Sequence, residues 1–221
     1  MTSPSSGPGA RVPTAQVLSS TERFRNGFFR LVTDEVRLPA AAAADRDGST
    51  VSRDYVSDHL GAVAVVAYDE ASDAVVLVRQ YRHPVRRELW ELPAGLLDVP
   101  GESALDCAKR ELAEEADLVA ARWDVLVDLV VTPGSSDEAI RIFLARELSD
   151  LPEKLRTERL EEEAGMLIER VPLAAAVGRI FSGDIENAAC VAGLLALQNT
   201  KMAMWPPLRA AEATWPARPG R

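Results

Sequence analysis

Apolar and polar positions alternate in several short runs of this 221-residue chain. FFRLVTDEVRLP (28–39) and VSRDYVSDH (51–59) contain strand-like alternation, and AAAADRDGS between them reads as a loop. GAVAVVAYDE (61–70) and DAVVLVRQY (73–81) are rich in β-branched residues, and the EASD between them makes a hairpin turn. LWELPAG (89–95) is a short extended piece ending in a turn, and a helix follows it. DVLVDLVV (124–131), EAIRIFLAR (138–146) and GMLIERV (165–171) predict three further strands. PLAAAVGRIFSG and ENAACVAGLLALQNTK predict two closing helices. Strands on both sides of a central helix imply a mixed α/β (α+β) sandwich rather than a doubly wound sheet.

The same reading divides the chain. Residues 1–15 are rich in Ser, Pro and Gly and predict a disordered tail, and 205–221 predict a second tail at the C-terminus. Between them, 16–59 form an N-terminal β region and 60–204 the main domain. No internal repeat is present.

Composition narrows the function. A formal net charge of −9 argues against nucleic acid or an anionic membrane surface as partner. The longest mostly apolar run, AACVAGLLAL, is too short to span a bilayer, and MTSPSSGPGA lacks the basic-then-apolar order of a signal peptide. Cys107 and Cys190 offer neither a disulfide framework nor zinc spacing, and read as small buried residues of a cytoplasmic protein. His59 and His83 have no paired ligand spacing and read as structural.

One helix stands out, in GLLDVPGESALDCAKRELAEEADL (95–118). Ser103 predicts its N-cap, with Asp106 in the reciprocal position, and Leu105, Ala108, Leu112 and Ala116 form a buried stripe. At about 100° per residue, Glu115 lies roughly 60° and Glu111 roughly 100° from Leu112, on the same shoulder of the core face. Glu114 points outward as an i,i+4 partner for Arg110, whereas Glu111 and Glu115 have no such relief within the helix. An exposed like-charge pair of that spacing costs roughly 0.2–0.5 kcal/mol, and a half-buried one costs more. A hard divalent cation such as Mg²⁺ removes that penalty, and a solvated acidic face is the ordinary alternative.

Glu102, Arg110, Glu111, Leu112, Glu114, Glu115 and Leu118 resemble the Nudix box, G-x5-E-x7-R-E-U-x-E-E-x-G-U, at matching spacing. Two departures stand out: Gly95 precedes Glu102 by one residue more than the pattern, and Asp117 replaces the glycine that ends the helix. Asp tolerates a left-handed cap at a cost of about 1 kcal/mol. Outside the box, VRQYRHP, LWELPAG, TPGSSDE and GDIENAA, with Pro133 fifteen residues beyond Leu118, resemble the ADP-ribose pyrophosphatase subfamily. The resemblance covers roughly residues 24–200.

That resemblance implies a Nudix-type mixed sheet between helices, with the N-terminal β region exchanged in a homodimer. It implies Mg²⁺-dependent cleavage of ADP-ribose to AMP and ribose 5-phosphate, with Mn²⁺ as a substitute ion. The carbonyl of Ala94 with Glu111, Glu115 and Glu114 would hold the metal, supported by Glu102 and Arg110. Arg82 would reach the pyrophosphate, Ser136 and Glu138 the terminal ribose or phosphates, and Phe28 and Arg53 the adenine. Glu163, with Glu162 as the neighbour one residue away, would be the catalytic base on the loop RLEEEAGM. Another nucleoside diphosphate sugar, or a sensor that binds ADP-ribose without cleaving it, are the alternatives; the intact box glutamates argue against the sensor.

Overall fold

In the computed structural model, which describes residues 15–27, 29–39, 49–57, 60–156 and 165–218, the β-branched runs form the centre of a mixed sheet. Strands β1 to β3 (Gln16–Arg25, Arg30–Arg37, Thr50–Ser57) precede β4 (Ala62–Asp69), β5 (Ala74–Arg82), β6 (Arg87–Glu91) and β7 (Ala94–Leu96). Helix α1 (Ala104–Ala116) leads into β8 (Leu118–Val130), β9 (Ala139–Asp150) and β10 (Leu167–Pro172). Helices α2 (Leu173–Ser182) and α3 (Ala188–Met202) follow, then β11 (Arg209–Ala210). The chain divides into one unit of His59–Pro133 with Glu138–Arg221 and another of Met1–Asp58 with Gly134–Asp137.

The larger unit holds the sheet β10-β5-β4-β9-β8-β11, in which β4 and β9 run parallel and the other neighbours antiparallel. Strand alternation sorts its side chains onto two faces. Val63, Val65, Ala67 and Phe143 pack with Cys107, Ala108 and Leu112 of α1. Ala64, Val66, Ile142 and Leu144 pack with Leu173 and Ala176 of α2 and with Cys190, Leu194 and Leu197 of α3. Because both faces are covered, β4 reads as a continuous apolar run rather than an alternating one. Gly193 lets α3 lie against the sheet, since a Cβ there would stand 2.8 Å from Leu92 Cδ1 and 2.9 Å from Val66 Cγ2. The expected sandwich of a mixed sheet between helices is present.

The β4–β5 hairpin pairs only at Tyr68↔Val75 and Asp69↔Ala74. Beyond those two pairs the strands part, β6 continuing along β5 and β7 along β4. Leu92 and Pro93 link the two short strands, and Val65 N donates to Pro93 O at 2.8 Å. LWELPAG is therefore two strands rather than one extended piece. The fork so opened is where the cleft described below lies.

The C-terminal segment departs from expectation. Residues 205–218 are packed rather than a loose tail: β11 pairs with Val125 and Asp124 of β8, and Trp215 is 4% exposed. The cause is a buried arginine far away in sequence. Arg141 of β9 donates to Ala213 O (2.5 Å) and Thr214 O (2.9 Å), and its guanidinium lies 5.1 Å from the Trp215 ring centre. Among the described residues, no helix is long and apolar enough to cross a membrane.

The smaller unit is the antiparallel sheet β1-β2-β3. Val32 is buried there, and Tyr55 Oη donates to Asp34 Oδ2 at 3.0 Å. The segment 134–137 is pinned to β3 by Val56 N to Ser135 O (2.9 Å), Asp137 N to Val56 O (3.2 Å) and Ser57 Oγ to Asp137 Oδ2 (2.9 Å). Every residue of β1 is exposed.

Candidate active site

Helix α1 is set by its ends. Ser103 Oγ accepts from Asp106 N at 3.1 Å and donates to the Asp106 carboxylate at 2.7 Å, fixing the first turn. At the other end Asp117 adopts the left-handed conformation expected of it (φ 54°, ψ 35°), and its N–H returns to Ala113 O and Leu112 O. Leu112 and Ala108 then anchor the helix on the sheet, which brings Glu111 and Glu115 to the edge of the core, both buried.

The two glutamates rest on the backbone of β7. Glu115 Oε2 accepts from Ala94 N at 2.8 Å. Glu111 lies so close to Gly95 that a Cβ there would be 1.8 Å from Glu111 Oε1. No side chain larger than hydrogen fits at residue 95 with the glutamate in place, which explains a glycine at the end of LWELPAG in physical terms.

Arg110 stands in the middle of the acids. Its Nε and Nη2 donate to Glu102 (3.0 and 3.1 Å), and its Nη1 to Glu111 (2.6 Å) and Glu114 (3.1 Å). Asp98 is 4.0 Å away. The Arg110–Glu114 pair matches expectation; the expectation that Glu111 lacks relief within the helix is corrected. An arginine side chain is long enough to fold back along the helix, so the adjacent residue supplies the counter-charge. The Glu102 carboxyl is held below its ordinary range by the hydrogen bond from Arg110. Arg110 is in turn pushed up, first by that bond and also by the charge of Glu111, against the opposing effect of burial.

The Ala94–Gly95 backbone also lines a cleft of about 610 Å³, with Ala62–Ala64 of β4, Arg82, Leu89, Glu91, Leu96, Glu138 and Ile140. Pro84, Val85, Leu92, Asn187 and Ala189 complete its wall. Arg82 is held there by a bidentate pair, Nε to Glu91 Oε1 (3.0 Å) and Nη2 to Glu91 Oε2 (2.7 Å). Cys190 lies behind that wall, and burial, with the charge of Glu91, pushes its thiol up to about 12. Both cysteines are buried and free, as the composition suggested.

The structure thus brings Arg82, Ala94 and Glu138 to one cleft, with Glu111 and Glu115 on the backbone that floors it. Ser136 and Arg53 belong to the smaller unit, Arg53 exposed on β3 with Nη1 donating to Ser52 O at 2.9 Å. Phe28, Glu162, Glu163 and His59 lie outside the described residues. Glu91 escaped the sequence reading, although a single acid inside the apolar run LWELP was the signal for it.

Among the described residues, no three carboxylate, imidazole or thiolate groups converge as a metal cage. The donor set nonetheless suits a hard divalent ion. It is all oxygen, Glu111 and Glu115 of α1 abut the Ala94–Gly95 backbone of β7, and a carboxylate has about four lone-pair sites, so the bond from Ala94 N does not exhaust Glu115.

The NUDIX domain matches residues 58–187. This chain belongs to the Nudix family. It is 41% identical over 204 residues to a protein of Mycobacterium tuberculosis named ADP-ribose pyrophosphatase, covering 92% of each chain. It is 30% identical over 183 residues to a Bacillus subtilis protein of the same name, covering 83% of this chain and 92% of that one. The crystal structure of an ADP compounds hydrolase superimposes with a TM-score of 0.72 over 90% of this chain and all of the other, at 21% identity, a likeness of fold. The protein is a Nudix pyrophosphohydrolase, and enzymes of this kind depend on divalent metal ions.

Proposed function

We propose that this Nudix enzyme hydrolyses the pyrophosphate bond of ADP-ribose, with Mg²⁺, to AMP and ribose 5-phosphate in the cytoplasm. The seating of Glu111 and Glu115 on the Ala94–Gly95 backbone at the floor of the cleft carries the reading. The names of its relatives, similar along nearly their whole length, support the substrate.

Divalent ions bound here supply Lewis-acid stabilisation of the charge that develops on the diphosphate. Glu111, Glu115, Glu114 and the Ala94 carbonyl would hold them. Arg82 would orient the diphosphate by its guanidinium, a fork suited to phosphate oxygens. Glu163, or Glu162 beside it, would take the proton from the attacking water as its oxygen bonds to one phosphorus and the bond to the bridging oxygen breaks. Ser136 and Glu138 would meet the terminal ribose or phosphates, and Arg53 and Phe28 the adenine.

A homodimer is part of the same proposal. All ten residues of β1 are exposed, with Val17, Leu18 and Phe24 at 55%, 41% and 53%, and a long edge strand that exposes large apolar side chains is commonly covered by another chain. Sedimentation is expected to show a dimer, and a fully active monomer would contradict it. For the reaction, purified protein with Mg²⁺ is given ADP-ribose, GDP-mannose and NADH, and products are separated by chromatography. AMP and ribose 5-phosphate from ADP-ribose, well ahead of the other two, is the expected result. Faster cleavage of GDP-mannose or NADH overturns the substrate assignment.

A further inference from the structure

Glu91 is the most buried acid of the cleft wall, and no step of the reaction above uses it. Its side chain is 3% exposed, whereas that of its partner Arg82 is 42% exposed. The acid therefore sits beneath and the arginine spans from it to the open cleft. Burying a carboxylate so far from water is costly unless it is paired and hydrogen-bonded. Here the fork of Arg82 supplies two bonds and Gln80 Nε2, also buried, stands 3.5 Å from Glu91 Oε2.

The strand register shows why these three meet. In the β5–β6 pair, Val78 faces Glu91, Gln80 faces Leu89 and Arg82 faces Arg87. Residues 78, 80 and 82 share one face of β5 with their partners on β6, because side chains alternate. Directly across from Arg82 is thus another arginine, a repulsive pairing. Arg87 pairs with Glu186 at 2.7 Å, while Arg82 folds back along the ribbon to Glu91. The guanidinium is fixed at the cleft by its own strand pair rather than left to find an orientation when an anion arrives.

We propose that Glu91 is a positioning residue: its bidentate pair with Arg82 holds the guanidinium in the orientation that receives the diphosphate. This rests on the reading of Arg82 as the diphosphate ligand. Glu91 itself touches no substrate. Its contribution is pre-organisation, since an arginine already held in one geometry gives up less freedom on binding. It follows that Glu91 and Arg82 act as one unit, so their losses do not add.

The test is calorimetric titration of inorganic pyrophosphate, with Mg²⁺, into the wild type, Glu91→Gln, Arg82→Ala and the double variant. Glu91→Gln is expected to weaken pyrophosphate about tenfold, the worth of a charge-assisted hydrogen bond. Arg82→Ala weakens it at least as much, and the double variant binds no more weakly than Arg82→Ala. With ADP-ribose, Glu91→Gln raises KM and leaves kcat within about twofold, the signature of lost ground-state binding. Pyrophosphate affinity unchanged in Glu91→Gln, or losses that multiply in the double variant, overturns the proposal, as does a wild type that does not bind pyrophosphate. Should Glu91→Gln fail to fold, Arg82→Lys keeps the charge without the fork; the same weakening supports the proposal and wild-type affinity overturns it. A wild type that binds pyrophosphate through the coupled pair but leaves ADP-ribose intact upholds the positioning role and refutes the substrate assignment.

Discussion

Two arginines of this fold keep very different company. Arg110 on α1 bonds to Glu102, Glu111 and Glu114 and lies 4.0 Å from Asp98, one cation among four carboxylates, with its side chain 29% exposed. Arg141 on β9 is almost wholly buried, forked onto Asp128 at 2.8 and 3.0 Å, and holds two carbonyls of the C-terminal segment. Asp128 accepts a second arginine as well, Arg209 at 2.6 Å. Among the described residues, acids outnumber cations around Arg110, and cations outnumber acids around Asp128. The second arrangement is closed and stabilising in itself. The first gathers acids on a helix whose Glu111 and Glu115 abut the Ala94–Gly95 backbone lining the cleft, where a divalent ion would be favoured.

Changes on the acidic helix should therefore remove activity and spare the fold, while changes at the Arg141 clamp should do the reverse. Glu115→Gln is expected to have the largest effect, a fall in kcat/KM of roughly 100- to 1000-fold with an unaltered unfolding midpoint, read by steady-state kinetics and thermal denaturation. Gly95→Ala comes next. Its methyl group must displace Glu111, and a shift of that size is expected to lower turnover roughly 100-fold. Arg141→Ala leaves Asp128 and two carbonyls short of their buried partner and should lower stability by roughly 3–5 kcal/mol in urea unfolding. Turnover per folded molecule should stay within about twofold of wild type.

Smaller effects sharpen the contrast further. Burial alone would raise the Asp128 carboxyl, yet the bonds from Arg141 and Arg209 hold it below its ordinary value of 3.8. A depressed folded value means that the unfolded chain binds the proton first as pH falls. The clamp's contribution is thus complete above pH 3.8 and fades as pH drops through the lower folded value. Asp128→Asn should flatten that acid slope in unfolding measurements across the window. Asp117→Gly is the mildest change: it relieves a left-handed residue and should add no more than about 1 kcal/mol, a rise of a few degrees in Tm.

What the sequence disclosed follows from how local each feature is. The cap at Ser103, the left-handed end at Asp117 and the stripe of Leu112 and Ala108 depend on residues within a few positions of one another, and all were legible. So were the box glutamates, whose spacing along one helix sets their facing. The parting of β4 from β5 was hidden, because it depends on which strand takes each edge. The same holds for the pairing of Arg82 with Glu91, which joins two strands across a ribbon. The C-terminal segment misled for a comparable reason: its proline and arginine content suggests a tail, and what packs it is Arg141, 72 and 73 residues away from the carbonyls it holds. Arg110 shows a subtler limit, since helical geometry places its Cα but not the reach of its side chain.

The contrast between the two arginines comes down to whether the acids around Arg110 bind a divalent ion. Calorimetric titration of Mg²⁺ into the wild type, Glu111→Gln, Glu115→Gln and Arg141→Ala measures it without reference to any substrate. Saturable binding by the wild type, weakened at least about tenfold in both glutamine variants and kept by Arg141→Ala below its unfolding temperature, is the predicted result. Equal Mg²⁺ affinity in the wild type and both glutamine variants would contradict it, and would make the crowded carboxylates of α1 a structural feature of the helix rather than a metal site.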